Sequence, residues 1–204
     1  MRRSNYGYIL LALLVITGLA GTITSTSITS KERKFAASHL KENKTNFLKT
    51  IKGLSKTQLD FKISSDRRCI KECVYNIVLS ENKLWLLLEK TMKQPANPEK
   101  RSQIEMSDDQ LINRVENGNS TIEMAECKKN VWKNMDEVIE SFKTTRADHI
   151  KYIKNTTEDL RNHIIQTSIG WVDCYQLCLV ISANNDHFIQ QIEELKTAQN
   201  LTKQ

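Results

Sequence analysis

After residue 21 the chain contains only five residues that interrupt a regular backbone: Gly53, Pro95, Pro98, Gly118 and Gly170. The stretches between them are long and carry apolar residues at helical spacing, with no recurrent strand alternation punctuated by turns. A chain so short of turn-formers has few places to reverse direction, so its core must be assembled from a handful of long helices. At 204 residues there is room for one ordinary domain. A content of 39 % hydrophobic and 26 % charged residues excludes a disordered or collagen-like chain.

The spacing predicts a first helix over about residues 30–51, with Ala36, Leu40, Phe47, Leu48 and Ile51 on one stripe and Gly53 as its stop. Ser55 and Gln58 form a capping-box pattern that opens a short turn before Leu59 and Phe61. A second helix spans about 69–92, where Ile70, Val74, Ile77, Leu84, Trp85 and Leu88 supply the apolar face, and Pro95 and Pro98 end it. A shorter helix follows, capped by Ser107 with Gln110 three residues on, and carries Leu111, Ile112 and Val115 up to the break at Asn117-Gly118-Asn119. Residues 120–133 read as a crossing segment containing Cys127 and Trp132. Asn134 with Glu137 caps a third long helix, apolar at Val138, Ile139, Phe142, Ile150 and Ile153 and reaching about His163. Gly170 separates it from a last helix over about 172–196. The expected class is all-α: four long helices in a bundle, with a long connection between the second and third.

At the amino terminus, Arg2 and Arg3 precede an apolar run over residues 8–16, followed by Gly18 and Ala20. This is the pattern of a secretory signal cleaved after Ala20. The rival reading is an uncleaved membrane anchor, since residues 6–23 make 18 positions, at the lower edge of the roughly 17–25 that span a bilayer. Thr17, Gly18, Gly21 and Thr22 weaken its far end. Either reading exports the remainder to a periplasmic or extracytoplasmic location. The chain then divides into a signal over 1–20, a Thr/Ser-rich tether over 21–30, the bundle over 31–196 and a tail over 197–204. Lys plus Arg number 30 against 24 Asp plus Glu, a net charge of +6 that falls to +4 without Arg2 and Arg3. The remaining charges are interspersed rather than gathered on one face, which excludes a nucleic-acid partner.

Several stretches taken together resemble the DinB-like superfamily: residues 70–77 with Glu81, residues 93–101, residues 146–152, and Gln191-Ile-Glu-Glu-Leu-Lys196. The resemblance covers nearly all of the chain after the tether. It implies a four-helix bundle in up-down-down-up order, with a long crossover between helices two and three, and a divalent metal held by three histidines. One of these comes from the second helix and two, spaced four apart on one face, from the last. Carried over by register, the three positions are Asn76, Asn184 and Phe188, and His187 stands beside a ligand position where the family has an arginine. The family's tryptophan at the start of helix two is replaced by Arg68. A neutral amide is a poor transition-metal ligand and a phenyl ring is none. The expectation is therefore no metal, no cofactor and no catalytic residue, with Asn76, Asn184, His187 and Phe188 lining or bordering a remodelled pocket.

The four histidines, His39, His149, His163 and His187, show no ligand spacing and read as independent polar residues. Cys69 and Cys73 lie four apart on helix two, as do Cys174 and Cys178 on helix four. The helix order that the resemblance implies separates the pairs by ~20–25 Å along the bundle, beyond the reach of a disulfide, so they read as buried thiols. Cys127 stands alone in the crossing segment, and in an oxidising compartment a single bridge involving it stays open. Asn43, Asn119, Asn155 and Asn200 each open a glycosylation-acceptor triplet, expected to be unmodified. Three functions remain open. The first is a non-catalytic exported bundle binding a small molecule in the remodelled pocket. The second is a hydrolase or thiol-dependent transferase of the family's kind, without metal or with a relocated one, in which His187 acts with Glu72 or Glu81. The third is an envelope interaction module. Bundles of this kind often self-associate, so a homodimer also stays open, though no strict heptad seam marks a face for it.

Overall fold

The computed structural model describes residues 28–65, 67–118 and 132–201. The stretch read as a signal or anchor, Cys127, the Asn119 acceptor triplet and most of the crossing segment lie outside the described residues. In chain order the elements are α1 (Ser30–Ile51), α2 (Lys56–Leu59), α3 (Ile70–Met92), a 3-10 helix (Pro98–Gln103), α4 (Asp108–Glu116), α5 (Met135–Asn155), β1 (Ile164–Thr167), β2 (Gly170–Asp173) and α6 (Cys174–Leu201). The described chain is mostly helical, with one small two-stranded sheet. Among the described residues no helix is long and apolar enough to cross a membrane.

The helix starts follow the capping chemistry of the sequence. Thr29 accepts from the Glu32 N–H at 3.2 Å, and the Glu32 carboxylate accepts from the Thr29 N–H at 2.7 Å. The same reciprocal box forms at Ser55 with Gln58 and at Ser107 with Gln110, and Asn134 accepts from the Glu137 N–H. Ile28 is buried and Thr29 caps α1, so the end of the stretch read as a tether packs with the domain. Gly53 takes φ +73, a left-handed conformation costly for other residues, and turns the chain just past α1.

The four long helices α1, α3, α5 and α6 pack side by side. Along α1 and α5, Arg33 donates to the Ile153 carbonyl, Lys44 to the Lys143 carbonyl, and Phe47 meets Phe142 edge-on. Along α1 and α6, the contacts pair Glu32 with Tyr175, His39 with Ser182, Asn43 with Asp186 and Thr50 with Lys196. Along α3 and α6, Ser80 meets Asn184 and Cys73 meets Gln191. The apolar residues form two cores. One holds Leu40, Leu84, Leu88, Leu111, Ile153 and Leu177; the other holds Phe47, Ile77, Phe142, Phe188 and Ile192. On every long helix the polar residues Asn43, Glu81, Arg146, Asn184 and Asn185 fall between the positions that feed the two cores, so a buried polar layer separates them.

The connection before the last helix departs from expectation. α5 ends at Asn155 rather than near His163, and residues 164–173 form an antiparallel hairpin with Ile165 opposite Val172. Thr156 leaves the helix with extended torsions, and Gly170 takes φ +111 where the second strand begins. Each strand is four residues long, too short to display an alternation against the helical background. A lone hairpin is marginal in water, and Arg161 fastens this one. Its guanidinium donates to Glu32 and Asp108 at 2.6 Å and to Asp173 at 3.0 Å, joining the first turns of α1 and α4 to the end of β2. Asp173 in turn accepts from the Gln176 N–H at 2.7 Å and starts α6. α6 then continues to Leu201, through residues read as a tail, with Gln199 buried.

Candidate functional site

The positions singled out by register lie on α3 and α6, the two helices with the broadest mutual packing. Asn76 is buried on α3. Asn184 is fully buried, and its amide donates to Ser80 Oγ at 2.9 Å while its carbonyl oxygen has no hydrogen-bond partner. Phe188 is buried in the second core, and the Arg68 guanidinium sits over its ring at 5.9 Å. Three of the four residues are thus built into the packing rather than presented to an opening.

His187 differs. It is half-buried and borders a cleft of about 800 Å³ between α6 and the stretch carrying Ile63, Ser64, Arg67 and Arg68, lined also by Gln190, Gln191 and Glu194. Both ring nitrogens are occupied. The Gln191 amide donates to Nε2 at 2.8 Å, which leaves Nδ1 to carry the proton and donate to the Glu116 carbonyl at 3.1 Å. A histidine locked in that tautomer has no free lone pair for a metal or for proton abstraction. Neither acidic partner considered for it is adjacent in role. Glu72 accepts from the Cys69 N–H and pairs with Lys62, while Glu81 belongs to the buried layer. His187 also walls the end of α4, because Gly118 takes φ +70 and a Cβ there would stand 2.6 Å from His187 Cε1.

The buried layer is a dense, solvent-free polar network. Arg146 donates to both oxygens of Glu81 at 2.7 and 2.9 Å, to the Leu40 carbonyl at 2.9 Å and to Asn43 Oδ1 at 2.9 Å. His149 donates from Nδ1 to Glu81 at 2.9 Å and stacks on Trp85 with ring centroids 3.6 Å apart. Burial alone would raise the Glu81 carboxyl, but the Arg146 charge and the hydrogen bonds from His149 and Arg146 prevail and hold it at about 2. Sequence reasoning missed this network, although Arg146 and His149 stand i, i+3 on one helix face. His163 is bracketed by the Asp159 and Gln94 carbonyls.

The remaining histidine, His39, joins a cluster no spacing rule announces: His39 of α1, Glu116 at the end of α4 and Asp186 of α6 offer ligand atoms within 4.8 Å of one another. The four described cysteines are free and buried, Cys73 in one core and Cys174 and Cys178 in the other. Burial pushes the Cys73 and Cys174 thiols up to about 12, the opposite of what a nucleophile or thiolate ligand needs.

Compared with known proteins, the chain matches no family model, no curated protein and no solved structure.

Proposed function

We propose that this chain is an exported bundle on the DinB-like plan that binds a small polar molecule carrying an acidic group and performs no chemistry at the three-histidine locus. The cleft beside His187 carries this reading, because it combines about 800 Å³ of space with Arg67, Arg68 and the amides of Gln190 and Gln191. Guanidinium and amide donors converging on one concavity suit a carboxylate or phosphate. Glu194 on the same wall favours a ligand with a cationic group as well. The up-down-down-up order is part of the proposal. In its support, residue numbers rise together in the α1–α6 contacts and run oppositely in the α1–α5 and α3–α6 contacts. Burial of Asn76, Asn184 and Phe188 within the packing supports placing the ligand in the cleft and no chemistry at those three positions.

The test is titration of the isotopically labelled chain with a panel of small carboxylates, amino acids and phosphate, followed by amide NMR. Shifts confined to residues around Arg67, His187 and Gln191, and lost in Arg67→Glu with Gln191→Leu, are expected. No saturable shift from any member, or shifts that survive the double substitution, would refute the assignment of the cleft.

A further inference from the structure

We infer that His39, Glu116 and Asp186 form a binding site for one divalent first-row transition metal ion. The site shares no position with the three-histidine locus and does not depend on the cleft reading. Its ligand atoms already lie within 4.8 Å of one another. Imidazole nitrogen and carboxylate oxygen bind such ions at about 2.0–2.2 Å, so donors around a shared ion sit roughly 3–4 Å apart. Small side-chain rotations close that difference.

The local chemistry calls for a cation. His39 Nε2 is out of solvent contact and has no hydrogen-bond partner, an arrangement that is costly unless something fills it. The ring is held by stacking on Phe35 at 5.7 Å, and the His39 carbonyl accepts from Ser182 Oγ at 3.2 Å, fixing α1 against α6 at this level. Glu116 and Asp186 are both half-buried carboxylates in the same cluster. Burial and then the Asp186 charge push Glu116 up; burial pushes Asp186 up against the lowering effect of Asn43 and His39. An ion between them would remove both the repulsion and the orphaned nitrogen.

The surrounding bonds orient the Asp186 carboxylate as an outer-shell partner orients a metal ligand, and they fix the backbone that carries Glu116. Asn43 Nδ2 donates to Asp186 Oδ1 at 2.7 Å, and Asn43 is itself fixed by Arg146 donating to its Oδ1. On the other acid, the Nδ1–H of His187 holds the Glu116 carbonyl and so anchors the end of α4. The imidazole favours a first-row transition ion, and the two carboxylates make manganese, iron, cobalt and zinc all compatible. Three protein donors leave positions open for water or a ligand.

The experiment is titration of the chelator-treated full chain with zinc by calorimetry and with cobalt by visible absorption. One equivalent should bind, with affinity reduced at least about 100-fold in His39→Ala and in Asp186→Asn, and roughly 10–100-fold in Asn43→Ala through the outer shell. Circular dichroism verifies that each variant remains folded, and Glu116→Gln, at a half-buried helix end, serves if a more central variant does not. No binding at millimolar metal overturns the site. So does binding unchanged in the folded ligand variants, or a cobalt spectrum dominated by thiolate charge transfer, which would place the ion on cysteine.

Discussion

Replacing Arg146 by Met leaves the Glu81 carboxylate in a place built for a guanidinium. Glu81 is 1 % exposed and Arg146 is not exposed at all, so water cannot substitute for the lost partner. The substitution removes both hydrogen bonds to Glu81 and the donors to the Leu40 carbonyl and Asn43. Removing one partner of a buried pair costs about 3–5 kcal/mol, and an orphaned buried acceptor adds about 1–3 kcal/mol. For a domain of this size that is a large share of the typical ~5–15 kcal/mol of total stability. The discriminating variant is Glu81→Leu in the Arg146→Met background. With the charge removed, the double variant should be more stable than Arg146→Met alone by at least about 2 kcal/mol, whereas Glu81→Leu alone should be strongly destabilising. Urea unfolding followed by far-ultraviolet circular dichroism reads all four proteins. If Glu81→Leu changes stability equally in both backgrounds, the pair is uncoupled and the reasoning fails.

The same carboxylate sets an acid limit. Its folded value lies below the ordinary 4.5, so its stabilisation is complete above pH 4.5 and lost as pH falls towards about 2. That shift corresponds to about 3 kcal/mol, visible as a pH slope in urea midpoints that the Glu81→Leu, Arg146→Met protein lacks. Gly118→Ala forces a left-handed alanine against the His187 ring and should destabilise by about 1–3 kcal/mol, whereas the same change at Gly53, with nothing within 4 Å of a Cβ, should cost about 1 kcal/mol from backbone strain; thermal unfolding ranks the two. Cys73 and Cys174, raised by burial, should react with a disulfide reagent at pH 8 only as fast as the protein opens, and at once in denaturant; prompt labelling of either in the folded chain contradicts the packing.

Helix positions were legible because capping residues and apolar stripes act locally. Ser55, Ser107 and Asn134 each satisfy an N–H three residues on, which a sequence shows directly. The hairpin was not legible, because its strands are four residues long and its anchorage depends on Arg161 reaching Glu32 and Asp108 in distant segments. The polar layer was half legible: Glu81, Arg146 and His149 stand out along the chain, but only packing of α3 on α5 makes them one network. The His39, Glu116 and Asp186 cluster was invisible for a related reason. Ligand-spacing rules look for pairs on one helix, and these three come from three elements, 77 and 70 residues apart in sequence.

The DinB-like register proposed above would place Asn76, Asn184 and Phe188 at the three ligand corners of a former metal site on α3 and α6. The most direct measurement is zinc stoichiometry in the Asn76→His, Asn184→His, Phe188→His protein, made in the His39→Ala background to silence the other candidate site. One tightly bound zinc that the His39→Ala parent lacks is expected, lost again when residue 76 alone is returned to Asn. A helical, folded triple variant that gains no zinc would contradict the claim.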